Sequence, residues 1–108
     1  MVREITVEEL ADEIERGETP LLIDVRQPWE HDLSRLENSV LVPLPELPSR
    51  TADVRPAPGQ LVVCYCHHGV RSLRAAEFLS RAGLEGVVSL AGGIDAWSQR
   101  IDPRVPRY

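Results

Sequence analysis

The sequence predicts a three-layer α/β sandwich, with helices on both faces of a central, mostly parallel sheet of four to five strands. Short apolar runs bounded by Gly, Pro and other turn residues recur along the chain, as in strands buried on both faces. Segments with apolar residues at helical spacing fall between them. The two kinds of segment alternate, and parallel neighbours need crossovers, which put helices on both faces of the sheet.

Thr6 followed by Glu9 is a capping-box signature, and Val7, Leu10, Ala11 and Ile14 repeat at helical spacing until Gly17, so a first helix is expected over 7–16. Pro20 then opens Leu21-Leu22-Ile23-Asp24-Val25, a strand with Asp24 near its carboxyl end. Three further strands are expected: Ser39-Val40-Leu41-Val42 ahead of Pro43, the run from Gln60 to Tyr65, and Val87-Val88-Ser89-Leu90. Leu73, Ala76, Phe78, Leu79 and Ala82 form the stripe of the longest helix, over 70–82, ended by Gly83. A last helix follows the tight turn at Gly92-Gly93, carrying Ile94, Ala96 and Trp97 into a tail punctuated by Pro103 and Pro106. Trp29 and Trp97 are expected to be packing residues. In such sheets ligands bind beyond the carboxyl ends of the strands, which singles out the segment after Tyr65.

The 108 residues carry nine prolines, a 43% hydrophobic content and a net charge of −5, as expected of one globular domain spanning 1–108. A chain of this size buries roughly two-thirds of its unfolded surface without disulfides or metal. All twelve cationic side chains are Arg, which excludes Schiff-base chemistry and a P-loop lysine. The acidic balance argues against nucleic acid or an anionic membrane as partner. No stretch resembles a signal peptide or reaches the ~18 apolar residues of a membrane span, so a cytoplasmic location is expected. Cys64 and Cys66, the only cysteines, are too close in sequence for an unstrained disulfide.

The chemistry lies in Cys66-His67-His68-Gly69-Val70-Arg71-Ser72, which joins a buried strand to the start of the longest helix. The helix's unpaired N–H groups, its dipole and Arg71 favour an anionic sulfur at Cys66. Gly69 permits a positive φ, so that successive N–H groups turn inward around whatever the sulfur carries. Cys64, between Val63 and Tyr65, reads as core. Cys64, Cys66, His67 and His68 lack finger or ribbon spacing, and His31 alone does not complete a zinc site; no metal or other cofactor is expected. His67 and His68 read equally as rim groups that tune local charge or as solvated loop residues. Asp24 and Arg26, at a strand end, could line the pocket, but an internal ion pair is the favoured arrangement.

Three segments, in order, resemble motifs of the rhodanese-like (sulfurtransferase) domain family: Ile23-Asp24-Val25-Arg26 with Pro28 and Glu30, the loop Cys66 to Ser72, and Leu90-Ala91-Gly92-Gly93 with Ala96-Trp97. The resemblance covers nearly the whole chain. It implies a rhodanese-like sandwich in which Cys66 takes a sulfane sulfur from thiosulfate or a persulfide donor. The Cys66 persulfide would then yield its sulfur to a thiol, a carrier protein or cyanide, in ping-pong fashion. The loop's substrate contacts would come from His67, His68, Gly69, Val70 and Arg71, with Arg71 assisting an anionic donor. A sulfur-relay module serving a protein partner is the alternative. A Cys-dependent phosphatase is less favoured, because only four residues separate Cys66 from Arg71 where phosphatases place five. Family members commonly carry Gly-His-Ile-x-Gly-Ala where this chain has Ser34-Arg35-Leu36-Glu37-Asn38-Ser39; Asn38 can take the left-handed conformation in place of Gly.

Overall fold

Five parallel strands run in the order β1-β5-β4-β2-β3 in the computed structural model, which describes residues 2–108. They are β1 (Arg3–Ile5), β2 (Leu21–Asp24), β3 (Val40–Leu41), β4 (Val62–Tyr65) and β5 (Val87–Leu90). The helices α1 (Val7–Glu15), α2 (Pro28–Leu33), α3 (Val70–Arg81) and α4 (Gly93–Arg100) alternate with them, and 3-10 helices at Leu44–Ser49 and Thr51–Asp53 follow β3. The expected α/β sandwich is therefore present.

Side chains alternate across the strands, and this alternation divides the core in two. Val62 and Cys64 of β4 join Ile23, Ala75, Ala76 and Leu79 on the α3 face. Val63 and Tyr65 join Leu10, Leu22, Val88 and Ile94 on the face covered by α1 and α4. Val62, Val63, Cys64 and Tyr65 are each 0% exposed, which explains why β4 is a continuous apolar run. Each such leucine or valine contributes roughly 1.5–3 kcal/mol by leaving water.

Two elements depart from the sequence expectation. β1 pairs with β5 as an added edge strand, Arg3 opposite Val88 and Ile5 opposite Leu90. Only Ile5 of its three residues is buried, so no apolar run announces it. Helix α2 lies in the segment between β2 and β3, where no helix was expected. It starts with Pro28 at its first position and a capping box between Gln27 and Glu30. The Thr6–Glu9 capping box of α1 forms as expected, and Asn38 has φ 65°. Among the described residues no helix is long and apolar enough to cross a membrane.

In register, Asp24 lies beside Tyr65 and Cys64 beside Ser89, so β2, β4 and β5 end along one edge of the sheet. The loop that carries Cys66 leaves the sheet there.

Candidate active site

The loop from Cys66 to Gly69 is held between α3, which it starts, and α4, against which it docks. Ile94 N–H donates to the Cys66 carbonyl at 2.9 Å and Asp95 N–H to the His67 carbonyl at 3.1 Å, so the open amides of α4 find partners in the loop. A Cβ on Gly93 would collide with the carbonyl oxygens of Cys66 and His67, and Gly93 also has φ 62°. Gly93 thus does more than turn the chain; it lets α4 approach the loop.

Gly69, at φ 111°, curls the loop back as expected. Its N–H donates to Cys66 Sγ at 3.1 Å and the Ser72 N–H does so at 3.3 Å. Ser72 Oγ lies 3.5 Å from the sulfur, donates to the Gly69 carbonyl at 3.1 Å and meets Ser89 Oγ at 2.8 Å. Cys66 is 1% exposed. The arrangement is a small nest of backbone donors at a helix start, suited to anionic sulfur. Ser72, one position beyond the residues expected to contact substrate, supplies one of its amides.

Burial first, and the neighbouring Cys66 second, push the Cys64 thiol up to about 12. Cys64 is the core residue expected.

Arg71 reaches the rim but does not stand free. Its Nη1 and Nη2 donate to Glu30 Oε1 and Oε2 at 2.7 and 3.0 Å, a two-pronged pair with a carboxylate whose side chain is 4% exposed. Gln27 N–H and the Tyr108 hydroxyl also donate to Glu30, at 3.0 and 2.7 Å. Burial opposes ionisation of Glu30, yet these donors, Arg71 foremost, hold its carboxyl down at about 2. Tyr108 accepts from Arg26 Nη1 at 2.8 Å. Its hydroxyl is pushed up to about 12 by burial and by the Glu30 carboxylate, against the pull of Arg26.

Asp24 and Arg26 are both 0% exposed, so neither lines an open pocket; they form the internal ion pair. Arg26 Nε and Nη2 donate to Asp24 at 2.8 and 2.7 Å, and Nη2 also reaches the Ser34 carbonyl. His31 Nδ1 lies 2.8 Å from the same carboxylate. The pair ties β2 to the segment after α2 and, through Tyr108, to the tail.

His67 is half-buried, its ring stacked on Tyr108 with centroids 4.0 Å apart. Burial, then the adjacent His68, lower its pKa. His68 and Val70 are exposed on the rim, with His68 Nδ1 3.8 Å from Asp95 Oδ2. Trp29 is 60% exposed and meets Tyr108 edge-on, which corrects the expectation that it is a core packing residue. Trp97 packs against the α1/α4 core as expected.

Sequence reasoning assigned no role to Glu30 or Tyr108. Glu30 did stand in the motif that follows Arg26 and Pro28; for Tyr108, 78 residues from Glu30, nothing local gives its contact away.

Comparison with known proteins agrees with this geometry. The family model for the rhodanese-like domain matches residues 6–100. The chain is 35% identical over 104 residues to the "Probable adenylyltransferase/sulfurtransferase MoeZ" of Mycobacterium tuberculosis, covering 96% of this chain and 26% of that protein. It therefore spans about a quarter of the length of that relative. A "Sulfurtransferase" of Allochromatium vinosum is 33% identical over 99 residues, with 92% of this chain and 91% of that one covered. The solved structure of a rhodanese-related protein from Thermoplasma volcanium superposes with a TM-score of 0.80 at 31% identity, covering 92% of this chain and 93% of the other. By its loop, its sheet and these relatives, the chain belongs to the rhodanese-like domain family.

Proposed function

We propose that this protein is a sulfurtransferase that moves a sulfane sulfur from thiosulfate or a persulfide donor to a nucleophilic acceptor through a Cys66 persulfide. The observation that carries the proposal is the convergence of the Gly69 and Ser72 amides on Cys66 Sγ. These two amides fix the sulfur that would attack the donor and carry the sulfane atom.

In the first half-reaction the Cys66 thiolate attacks the outer sulfur of thiosulfate. The S–S bond of the donor breaks, sulfite departs with the bonding pair, and Cys66 is left as a persulfide anion. In the second, a thiol, a carrier protein or cyanide attacks the terminal sulfur and the Cys66 thiolate is restored. No net oxidation occurs, because the sulfur atom moves without its bonding pair. His67, His68, Gly69 and Val70 frame the opening, Arg71 braces it through Glu30, and the buried Asp24–Arg26 pair supports the loop from behind.

Kinship with the MoeZ protein, whose name joins adenylyltransferase to sulfurtransferase, favours a second reading in which the acceptor is a protein and the domain acts as a relay. Steady-state kinetics test the proposal. With thiosulfate varied at several fixed cyanide concentrations, double-reciprocal lines should be parallel and thiocyanate formation should vanish in Cys66→Ser. Intersecting lines, or turnover retained in that variant, would contradict it. Fast sulfur uptake from a protein persulfide with negligible thiosulfate turnover would select the relay.

A further inference from the structure

The charge balance around the Cys66 loop bears on which donor the site accepts. Arg71, 35% exposed, is the cation nearest the loop in sequence, and Glu30 meets it with both carboxylate oxygens. Arg107 pairs with Asp95 at 3.1 Å, and His68 faces the same carboxylate at 3.8 Å. Arg26 pairs with Asp24 at 2.7 Å behind the loop. Each arginine that these contacts bring to the site is matched by a carboxylate. The Cys66 sulfur then adds negative charge once ionised.

Thiosulfate brings two negative charges and three sulfonate oxygens to that setting. The amides of Gly69 and Ser72 are already engaged by Cys66 Sγ, so neither is left open for a sulfonate oxygen. A persulfide on a carrier of little net charge brings only its terminal S–SH group. Val70, 68% exposed at the start of α3, and Trp29, 60% exposed against Tyr108, offer such a carrier apolar contact rather than charge.

Resting on the sulfurtransferase reading, we infer that Glu30 is a specificity-determining residue. By cancelling the charge of Arg71 at the rim it makes the site prefer a persulfide of low net charge to dianionic thiosulfate. The favoured half-reaction is attack of the Cys66 thiolate on the outer sulfur of R–S–SH. The S–S bond breaks, R–S⁻ leaves with the bonding pair, and Cys66–S–SH forms with the proton still on its terminal sulfur. Glu30 acts on the donor through Arg71, as a positioning residue.

The test compares thiosulfate with cysteine persulfide as donors to wild type, Glu30→Gln and Cys66→Ser, reading transfer to Cys66 by rapid-quench mass spectrometry. Gln keeps the shape of the side chain and leaves Arg71 with uncompensated charge. The ratio of kcat/KM for thiosulfate to that for the persulfide should rise roughly fivefold or more in Glu30→Gln. The salt dependence of the wild type is a second readout that needs no variant. Its kcat/KM for thiosulfate should hold or rise from about 0.02 M to about 0.5 M salt, since no net attraction is present to be screened and salt relieves the repulsion between the ionised Cys66 sulfur and the dianion. A ratio unmoved or lowered by Glu30→Gln, or a steep fall with salt in wild type, overturns the inference and leaves sulfur transfer standing. Failure of both donors to place sulfur on Cys66 of the wild type overturns the sulfurtransferase reading, and this inference with it.

Discussion

Ser72 Oγ and Ser89 Oγ lie 2.8 Å apart, and Ser72 Oγ is 3.5 Å from Cys66 Sγ, so a serine pair joins α3 to β5 beside the reactive sulfur. Both residues are 0% exposed. Ser72→Ala leaves its backbone N–H on the sulfur and removes the hydroxyl, stranding Ser89 Oγ in the core. The expected cost is about 1–2 kcal/mol of stability, read from denaturant midpoints, with sulfur loading of Cys66 slowed but not abolished.

The approach of α4 to the loop depends on Gly93. Gly93→Ala combines a left-handed φ of 62° with a Cβ collision against carbonyls that the loop cannot move without losing its bonds to Ile94 and Asp95. A loss of at least about 2 kcal/mol is expected, together with slower sulfur loading, because the loop must shift. Urea denaturation measures the first and stopped-flow kinetics the second.

The Glu30–Arg71 pair links stability to acid. Below its ordinary value of 4.5 a free glutamate takes up a proton, whereas folded Glu30 stays ionised until about pH 2. The contribution is thus present above about pH 4.5 and is lost as pH falls toward 2. Allowing for solvent at Arg71, wild type should lose about 2 kcal/mol more than Glu30→Gln between pH 5 and pH 2.5. Urea melts across that range check the difference.

Cys64 is 0% exposed, and burial pushes its thiol up to about 12, as suits a packing residue. Cys64→Ala should leave sulfur loading of Cys66 in place while lowering stability by about 1 kcal/mol through lost packing. Loss of loading in a folded Cys64→Ala protein would assign Cys64 a redox role.

The elements that carry burial were legible in the sequence. β2, β4 and β5 are apolar because both faces are covered, and Val7 and Leu10 of the α1 stripe and Ala76 and Leu79 of the α3 stripe are buried as expected, whereas Ile14 is 42% exposed. β1 was not, because its stability comes from pairing with β5 while two of its three side chains face solvent. In the site, Cys66 and Gly69 were legible because a strand-to-helix junction and a positive φ leave local marks. The Glu30–Tyr108–Arg26 network was not, since its members meet only after the sheet has brought α2 and the tail together. Trp29 misled for a related reason: its apolar ring is held at an edge by Tyr108 instead of in the core.

The central claim is that Cys66 carries the transferred sulfur. The most direct measurement is the intact mass of the reduced protein before and after incubation with thiosulfate and, separately, with cysteine persulfide, alongside Cys66→Ser. The account predicts a gain of one sulfur atom in wild type with at least one donor, removed by cyanide and absent from the variant. No gain with either donor, or an equal gain in Cys66→Ser, would contradict it.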